Sequence, residues 1–200
     1  MSFEDEWATE RSVGGGLLMD KRYLVLPAVL VAAAAVVAAV QLWPSTLKDL
    51  RAENLCLGML TRETAGVLDD RKGGELVVDD DSGPVFSAVC FVSRRIEGAD
   101  RLQYTLDARP ADTLDAPMKG ATQLTAGRSG WVGPRQSEVQ LPAGCGKEMK
   151  TDARYVTVTL KVAPGVVVAE NWNDAALIAA SRTVVLEAVD NLAKQYDCKG

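Results

Sequence analysis

The stretch LVLPAVLVAAAAVVAAV, residues 24–40, contains no charged side chain. Tyr23 and Trp43 flank it, as aromatic residues do at the two faces of a bilayer. About 20 helical residues, at 1.5 Å each, cover the roughly 30 Å of a bilayer's hydrocarbon core. The stretch therefore predicts one transmembrane helix over residues 23–43, which decides the compartment of everything that follows it.

A cleaved signal peptide is the alternative interpretation of this stretch, because small residues at 32–35 and 38–39 offer cleavage sites. The apolar run is longer than the roughly 7–15 residues of a signal-peptide core, which favours an uncleaved anchor. A lipoprotein signal is not indicated, because the first cysteine, Cys56, follows Glu53-Asn54-Leu55 rather than small residues.

The orientation of the predicted span rests on charge and on cysteine placement. Lys21 and Arg22 touch its N-terminal end, which favours an N-terminus inside the cell. All four cysteines follow the span: Cys56, Cys90, Cys145 and Cys198. An even number of cysteines in a non-cytosolic domain indicates disulfides. We therefore expect residues 1–22 to be a disordered cytoplasmic tail and residues 44–200 to form an extracytoplasmic domain.

The composition excludes several functional classes. The chain has 22 Lys plus Arg, 27 Asp plus Glu and no histidine, for a net charge of −5. This balance is too even to indicate a nucleic-acid partner. The absence of histidine removes the commonest general base and the commonest metal ligand. We expect no catalytic residue, no cofactor and no metal.

Hydrophobic periodicity predicts a small antiparallel sheet. RYVTVTLKV, residues 154–162, alternates as a half-buried strand does. Residues 86–93 and 101–108 predict a hairpin joined at 97–100. Asp79 to Pro84 has the composition of a turn.

Helices are predicted on either side of these strands. Residues 46–54 favour a helix next to the membrane, and Thr61 suits the N-cap of a second, short helix. Residues 173–196 give the clearest helix, with apolar side chains on one face: Ile178, Val185, Val189, Leu192 and Tyr196. The fold class predicted for residues 44–200 is α+β, a small antiparallel sheet packed against a long C-terminal helix.

Four cysteines permit three pairings. The strand order favours Cys56 with Cys90, tying the segment behind the first helix to the first hairpin strand. Cys198, at the end of the long helix, is then left for Cys145. Each bond would close a loop worth about 3–4 kcal/mol in the chain-entropy model.

Short motifs point to no convincing active site. Ser45-Thr46-Leu47-Lys48 fits the S-x-x-K pattern of β-lactamases, but no S-D-N or K-T-G follows it. Gly127-Arg128-Ser129-Gly130 lacks the histidine of a serine-protease triad and is interpreted as a glycine turn. Trp131 and Trp172 are interpreted as core or rim residues rather than ligand platforms.

Residues 54–63, NLCLGMLTRE, resemble the opening of small actinobacterial lipoproteins and membrane-anchored envelope proteins of unknown function. Cys90 within SAVCFVS matches their second, strand-borne cysteine, and residues 181–198 look like their closing helix. The chain departs from the lipoprotein members by lacking a lipobox. The resemblance implies an envelope location and a disulfide, and it implies no catalytic residue.

Taken together, these features predict a single-pass membrane protein of the cell membrane, whose outer domain is a non-catalytic module that binds a protein or another envelope component. The alternative is an extracytoplasmic hydrolase that uses Ser/Lys or carboxylate chemistry. A lysine beside Ser45, or two facing carboxylates in a pocket, would favour that alternative.

Overall fold

A computed structural model describes residues 46–68, 74–83, 86–125, 127–169 and 174–198. They belong to one compact unit, Ser45–Gly200. The predicted tail, residues 1–22, and the predicted span, residues 23–43, lie outside the described residues. Within the described part of the chain, no helix is long and apolar enough to cross a membrane.

The described chain forms five helices and seven strands. The helices are α1 Thr46–Glu53, α2 Arg62–Ala65, α3 Cys145–Glu148, α4 Pro164–Ala169 and α5 Asp174–Gln195. The strands are β1 Glu75–Ser82, β2 Ala88–Ile96, β3 Ala99–Ala111, β4 Thr122–Gln123, β5 Gly130–Val132, β6 Gln136–Gln140 and β7 Tyr155–Val162.

All seven strands join one antiparallel sheet in the order β1-β2-β3-β7-β6-β5-β4. Strand β7 therefore lies in the middle, between the N-terminal strands β1–β3 and the later strands β4–β6. The predicted α+β class is confirmed. The short strands that the sequence indicates near Trp131 and Val139 are present as β5 and β6, and β4 is a further strand at the edge of the sheet.

The acidic segment after Asp79 is a strand, and the turn predicted for 79–84 is wrong there. Strand β1 continues to Ser82, which pairs with Ala88 of β2. The side chains of Asp79 to Ser82 are exposed. An edge strand tolerates such charges, and they discourage pairing with another chain.

The hairpin predicted between β2 and β3 is confirmed, with a shorter turn than expected. Only Glu97 and Gly98 lie between the strands, with φ of 52° and 79°. Two consecutive residues with positive φ form the turn whose twist matches that of antiparallel strands. Residues Ala99 and Asp100, assigned to the turn from the sequence, begin β3.

The faces of the sheet differ because side chains alternate along each strand. We call the inner face the one on which Cys90, Leu106, Leu160 and Ser137 lie side by side in neighbouring strands, all of them buried. Helix α5 packs on this face against β5, β6 and β7. Of its predicted apolar face, Val185, Val189 and Leu192 are buried and Ile178 and Tyr196 are partly buried.

A polar stripe on α5 binds the segment between α1 and α2. Asn191 Nδ2 donates to the carbonyl oxygen of Met59 at 3.0 Å, and Gln195 Nε2 donates to that of Leu57 at 3.2 Å. Glu187 Oε1 accepts from the backbone N–H of Thr61 at 2.7 Å. The three side chains are four residues apart, so they share one face of the helix. They fix the segment that carries Cys56.

Both disulfides form as predicted. Cys56 bonds to Cys90 with a Cα–Cα distance of 5.2 Å, and Cys145 bonds to Cys198 with a Cα–Cα distance of 4.8 Å. The first bond joins the segment after α1 to strand β2. The second joins Cys198, three residues past α5, to the first residue of α3, which lies between β6 and β7.

Candidate functional site

The outer face of the sheet carries a buried acidic side chain, that of Glu138. Asp107, Thr159, Glu138 and Trp131 lie side by side on β3, β7, β6 and β5. This row faces away from α5. Thr159, Glu138 and Trp131 are each only 3% exposed, although they belong to the face opposite the core.

The connection from β3 to β4 covers this row. The backbone N–H of Asp115 donates to Glu138 Oε1 at 3.2 Å, and Trp131 Nε1 donates to the carbonyl oxygen of Asp115 at 3.1 Å. Glu138 Oε2 is buried and has no hydrogen-bond partner among the residues that the structure describes. A buried polar atom is normally satisfied, so this oxygen calls for an explanation.

The electrostatic setting of Glu138 disfavours its charge. Burial is the largest influence, and it raises the pKa of the carboxyl group. The hydrogen bond from the Asp115 N–H opposes this rise. The charge of the Asp115 carboxylate and a side-chain interaction between the two carboxyl groups add to it, and the charge of Arg109 lowers the pKa. The net pKa is above the ordinary value for glutamate. Perturbed carboxyl groups of this kind are typical of functional sites.

A cleft of about 140 Å³ opens beside Glu138. Its lining is formed by Leu114, Asp115, Pro117, Gln123, Gly130, Trp131 and Glu138. Gly130 is required here, because its φ is +142° and a Cβ atom would lie 2.3 Å from the carbonyl oxygen of Glu138. Pockets for whole small molecules usually measure about 300–1,000 Å³. We refer to this feature as the Glu138 cleft, and its size suits a single side-chain group.

A second, larger groove of about 490 Å³ lies between the turn that precedes β5 and helix α5. Arg128 Nη2 contacts Asp190 Oδ1 there at 2.7 Å. Both side chains are more than a third exposed, so the ion pair stabilises the fold little. Arg128 Nη1 is buried without a partner among the described residues, but its charge is already matched by Asp190.

Tyr104, Thr64 and the partly buried Glu187 have a structural role. Tyr104 Oη donates to the carbonyl oxygen of Ala65 at 2.9 Å. Burial, followed by the charge of Glu187, raises the pKa of Tyr104. Glu187 also accepts a short hydrogen bond from Thr64 Oγ1, and Thr61 caps α2 as predicted. Tyr104 therefore binds the backbone and Thr64 binds Glu187, and none of these three residues lines the two clefts described above.

The structure shows where several of the sequence motifs lie. Residues 127–129, predicted as part of a glycine turn, form the bend and irregular segment before β5, Gly130 already belongs to β5, and Arg128 binds Asp190 on α5. Trp131, interpreted from the sequence as a core or rim residue, is buried on the outer face of the sheet and lines the Glu138 cleft. Ser45, the side chain of Lys48 and the whole of Trp172 lie outside the described part of the protein.

Sequence reasoning missed Glu138. The segment QSEVQ assigns Val139 to one face and Glu138 to the other, which predicts an exposed glutamate. No local signal shows that the distant Asp115 folds over it. Among the described residues, no group of three or more His, Cys, Asp or Glu side chains is arranged to hold a metal ion.

Neither a family model, nor a curated protein, nor a solved structure matches this chain.

Proposed function

We propose that this protein is a membrane-anchored, extracytoplasmic binding module without catalytic activity, and that the Glu138 cleft is its recognition point. Two observations support the compartment. The apolar stretch 24–40 is long enough to anchor the chain. Two disulfides tie the described domain together, and such bonds are typical of oxidising compartments.

The observation that carries the binding role is that Glu138, which lines the cleft, has a buried Oε2 without a hydrogen-bond partner among the described residues. A buried charge without a partner is unfavourable, and a ligand that donates a hydrogen bond to it removes that penalty. The site is preorganised, because Asp115 and Trp131 already hold the cleft wall in place. The small volume favours recognition of one group on a larger partner.

A hydrolase that uses two carboxyl groups as its acid and base is the second candidate function, and one observation favours it. Asp115 lies close enough to Glu138 for its charge to raise the pKa of the Glu138 carboxyl. Two carboxyl groups in unequal environments are the usual acid–base pair of such enzymes. The cleft is small for a polymer substrate, which is why we favour the binding role.

The compartment is tested with reporters on the full-length protein. A reporter active only in the cytoplasm should work when fused at Met1 and fail when fused after Gly200. The mature protein should also keep its N-terminus and resist carbonate extraction. The reverse reporter pattern, or a mature N-terminus between Ala33 and Gln41, would contradict the proposal.

The binding role is tested by photo-crosslinking in cells that produce the full-length protein. A photoreactive residue at Leu114, which is 36% exposed and lines the cleft, should give a discrete crosslinked species. Leu102, 42% exposed on β3 and outside the cleft, is the matched control position. Equal products from both positions, or none from Leu114, would argue against a binding site here.

The two candidate functions also differ in what happens to envelope material. A binding module should release no soluble fragments from isolated envelopes. Fragment release by the full-length protein that is lost in both Asp115→Asn and Glu138→Gln would establish the hydrolase instead.

A further inference from the structure

The Glu138 cleft combines an acidic floor with an apolar rim. Glu138 and Trp131 are buried at its base, whereas Leu114, Asp115 and Pro117 are exposed at its opening. A ligand that fits must place an apolar stem against the rim and a polar head against the floor. Long cationic side chains have this construction, with a methylene stem and a charged head.

The hydrogen bonds that Glu138 already makes distinguish between the two long cationic side chains, those of arginine and lysine. Oε1 already accepts from the Asp115 N–H, and only Oε2 is free among the described residues. A guanidinium group binds a carboxylate best through both oxygens. An ammonium group is a compact charge with three donors and needs only one of them. The geometry therefore favours an ammonium group.

The charges around the cleft support the same choice. The exposed Asp115 carboxylate lies beside Glu138 and can accept a second hydrogen bond. Arg109, whose charge acts on Glu138, is already paired with an acidic side chain, because its Nε lies 3.6 Å from Asp107 Oδ2. A bound ammonium would neutralise the repulsion between the Glu138 and Asp115 carboxylates.

We infer that the Glu138 cleft binds the side chain of a lysine on a partner protein, with its ammonium group donating to Glu138 Oε2 and its methylene stem packed against Leu114 and Pro117. This inference rests on the proposed binding role and adds the chemistry of the ligand.

The test is an NMR titration of the full-length protein in a nonionic detergent. The probe is the peptide acetyl-Gly-Lys-Gly-amide, and the observed signal is the indole N–H of Trp131, assigned with Trp131→Phe. This N–H donates to the carbonyl oxygen of Asp115, so it reports on the wall of the cleft. We expect a saturable shift with the lysine peptide. We expect little or no shift with the acetyl-lysine peptide, which has lost the charge.

Three variants locate the binding. Glu138→Gln should lower the affinity for the lysine peptide about tenfold or more, because the hydrogen bond between the ammonium group and a charged carboxylate is lost. Asp81 lies in the same row of the sheet as Glu138 but four strands away, a distance of about 19 Å. Asp81→Asn therefore removes a carboxylate far from the cleft and should leave the affinity unchanged. Leu114→Ser, at an exposed position, should weaken binding about threefold and keeps the test valid if Glu138→Gln does not fold.

Several outcomes would overturn the inference. These are unchanged affinity in both Glu138→Gln and Leu114→Ser, equal binding of the acetyl-lysine peptide, or tighter binding of the matching arginine peptide. Binding of butylammonium but not of the lysine peptide would assign the cleft to a free amine. Crosslinking from Leu114 together with no lysine binding would leave the binding module intact and remove only this ligand.

Discussion

Asn191 on helix α5 donates a 3.0 Å hydrogen bond to the carbonyl oxygen of Met59, 132 residues earlier in the chain. Both residues are buried. The bond lies between those of Gln195 to Leu57 and Glu187 to Thr61, so the helix satisfies the backbone of an otherwise irregular segment. Buried backbone groups need such partners, and here side chains supply them.

Asn191→Ala should lower the free energy of unfolding by about 1–3 kcal/mol, because the carbonyl of Met59 is left buried without a partner. Urea denaturation of the full-length protein measures the change. Thr183→Ala is the matched control on the same helix, since its exposed hydroxyl bonds only to Ala179. If the two substitutions cost the same, the bond to Met59 does not stabilise the domain.

Gly58→Ala should destabilise the domain more than Gly98→Ala. Both glycines have positive φ, +92° and +79°, so both substitutions strain the backbone. Only at Gly58 would the new Cβ lie 2.1 Å from Gln195 Nε2, whereas the space around Gly98 is open. We expect Gly98→Ala to cost about 1 kcal/mol and Gly58→Ala to cost measurably more.

The comparison is made by thermal unfolding. Adding Gln195→Ala to Gly58→Ala should recover only part of the loss, because the backbone strain remains and the bond to Leu57 is gone. Equal melting temperatures for the Gly58 and Gly98 variants would show that the close contact is not maintained in solution.

The stability of Glu138→Gln relative to the natural protein should depend on pH. Burial raises the pKa of Glu138 in the folded state, so the folded protein holds this proton more tightly than the unfolded chain does. The stabilisation from this proton is fully present below the unfolded-state pKa and is lost as the pH rises through the folded-state pKa. Glu138→Gln should therefore gain stability relative to the natural protein as the pH rises from about 4.3, the ordinary value for glutamate, through the raised folded-state pKa.

Asp100→Asn is the control, because its stability difference from the natural protein should depend on pH in the opposite direction. The hydrogen bond from Arg95 lowers the pKa of Asp100, so its contribution is present at neutral pH and is lost as the pH falls. Urea denaturation across the pH range measures both differences. A Glu138→Gln difference that is flat, or that slopes like that of Asp100→Asn, would contradict the assigned environment of Glu138.

Each disulfide should contribute about 4 kcal/mol to the free energy of unfolding in the chain-entropy model. The two loops span 34 and 53 residues, a length ratio that changes the entropic term by only about 0.4 kcal/mol. The variants Cys56→Ser with Cys90→Ser and Cys145→Ser with Cys198→Ser should therefore lose similar amounts, lowering the melting temperature by about 8–16 °C each.

Thermal unfolding of the two double variants, with the natural protein under reducing and non-reducing conditions, measures this effect. Reduction of the natural protein should cost more than either double variant. A double variant that melts at the natural temperature would show that its bond does not constrain the unfolded chain.

Several parts of the fold follow directly from local sequence. The alternation in 154–162 predicts β7, and the apolar spacing after residue 173 predicts α5, because burial on one face demands these periods in a strand and in a helix. The two disulfides are the pairs that the order of strands and helices favours, but sequence alone leaves three pairings open and the folded chain chooses among them.

Other parts depend on residues that are distant in sequence. The acidic end of β1 carries no strand signal and becomes a strand only because β2 offers it hydrogen-bond partners. The stripe of Glu187, Asn191 and Gln195 looks like an exposed helix face until the segment at 57–61 lies on it.

In the candidate site, one feature follows from local sequence and the others depend on distant residues. Alternation along β6 puts Glu138 on the outer face, opposite to the face of Ser137. Its burial, its raised pKa and its free oxygen arise because Asp115, on a connection without regular structure, covers that face. Periodicity is a property of neighbouring residues and can be read along the chain. The covering contact joins residues 23 positions apart through a loop, and only the folded chain brings them together.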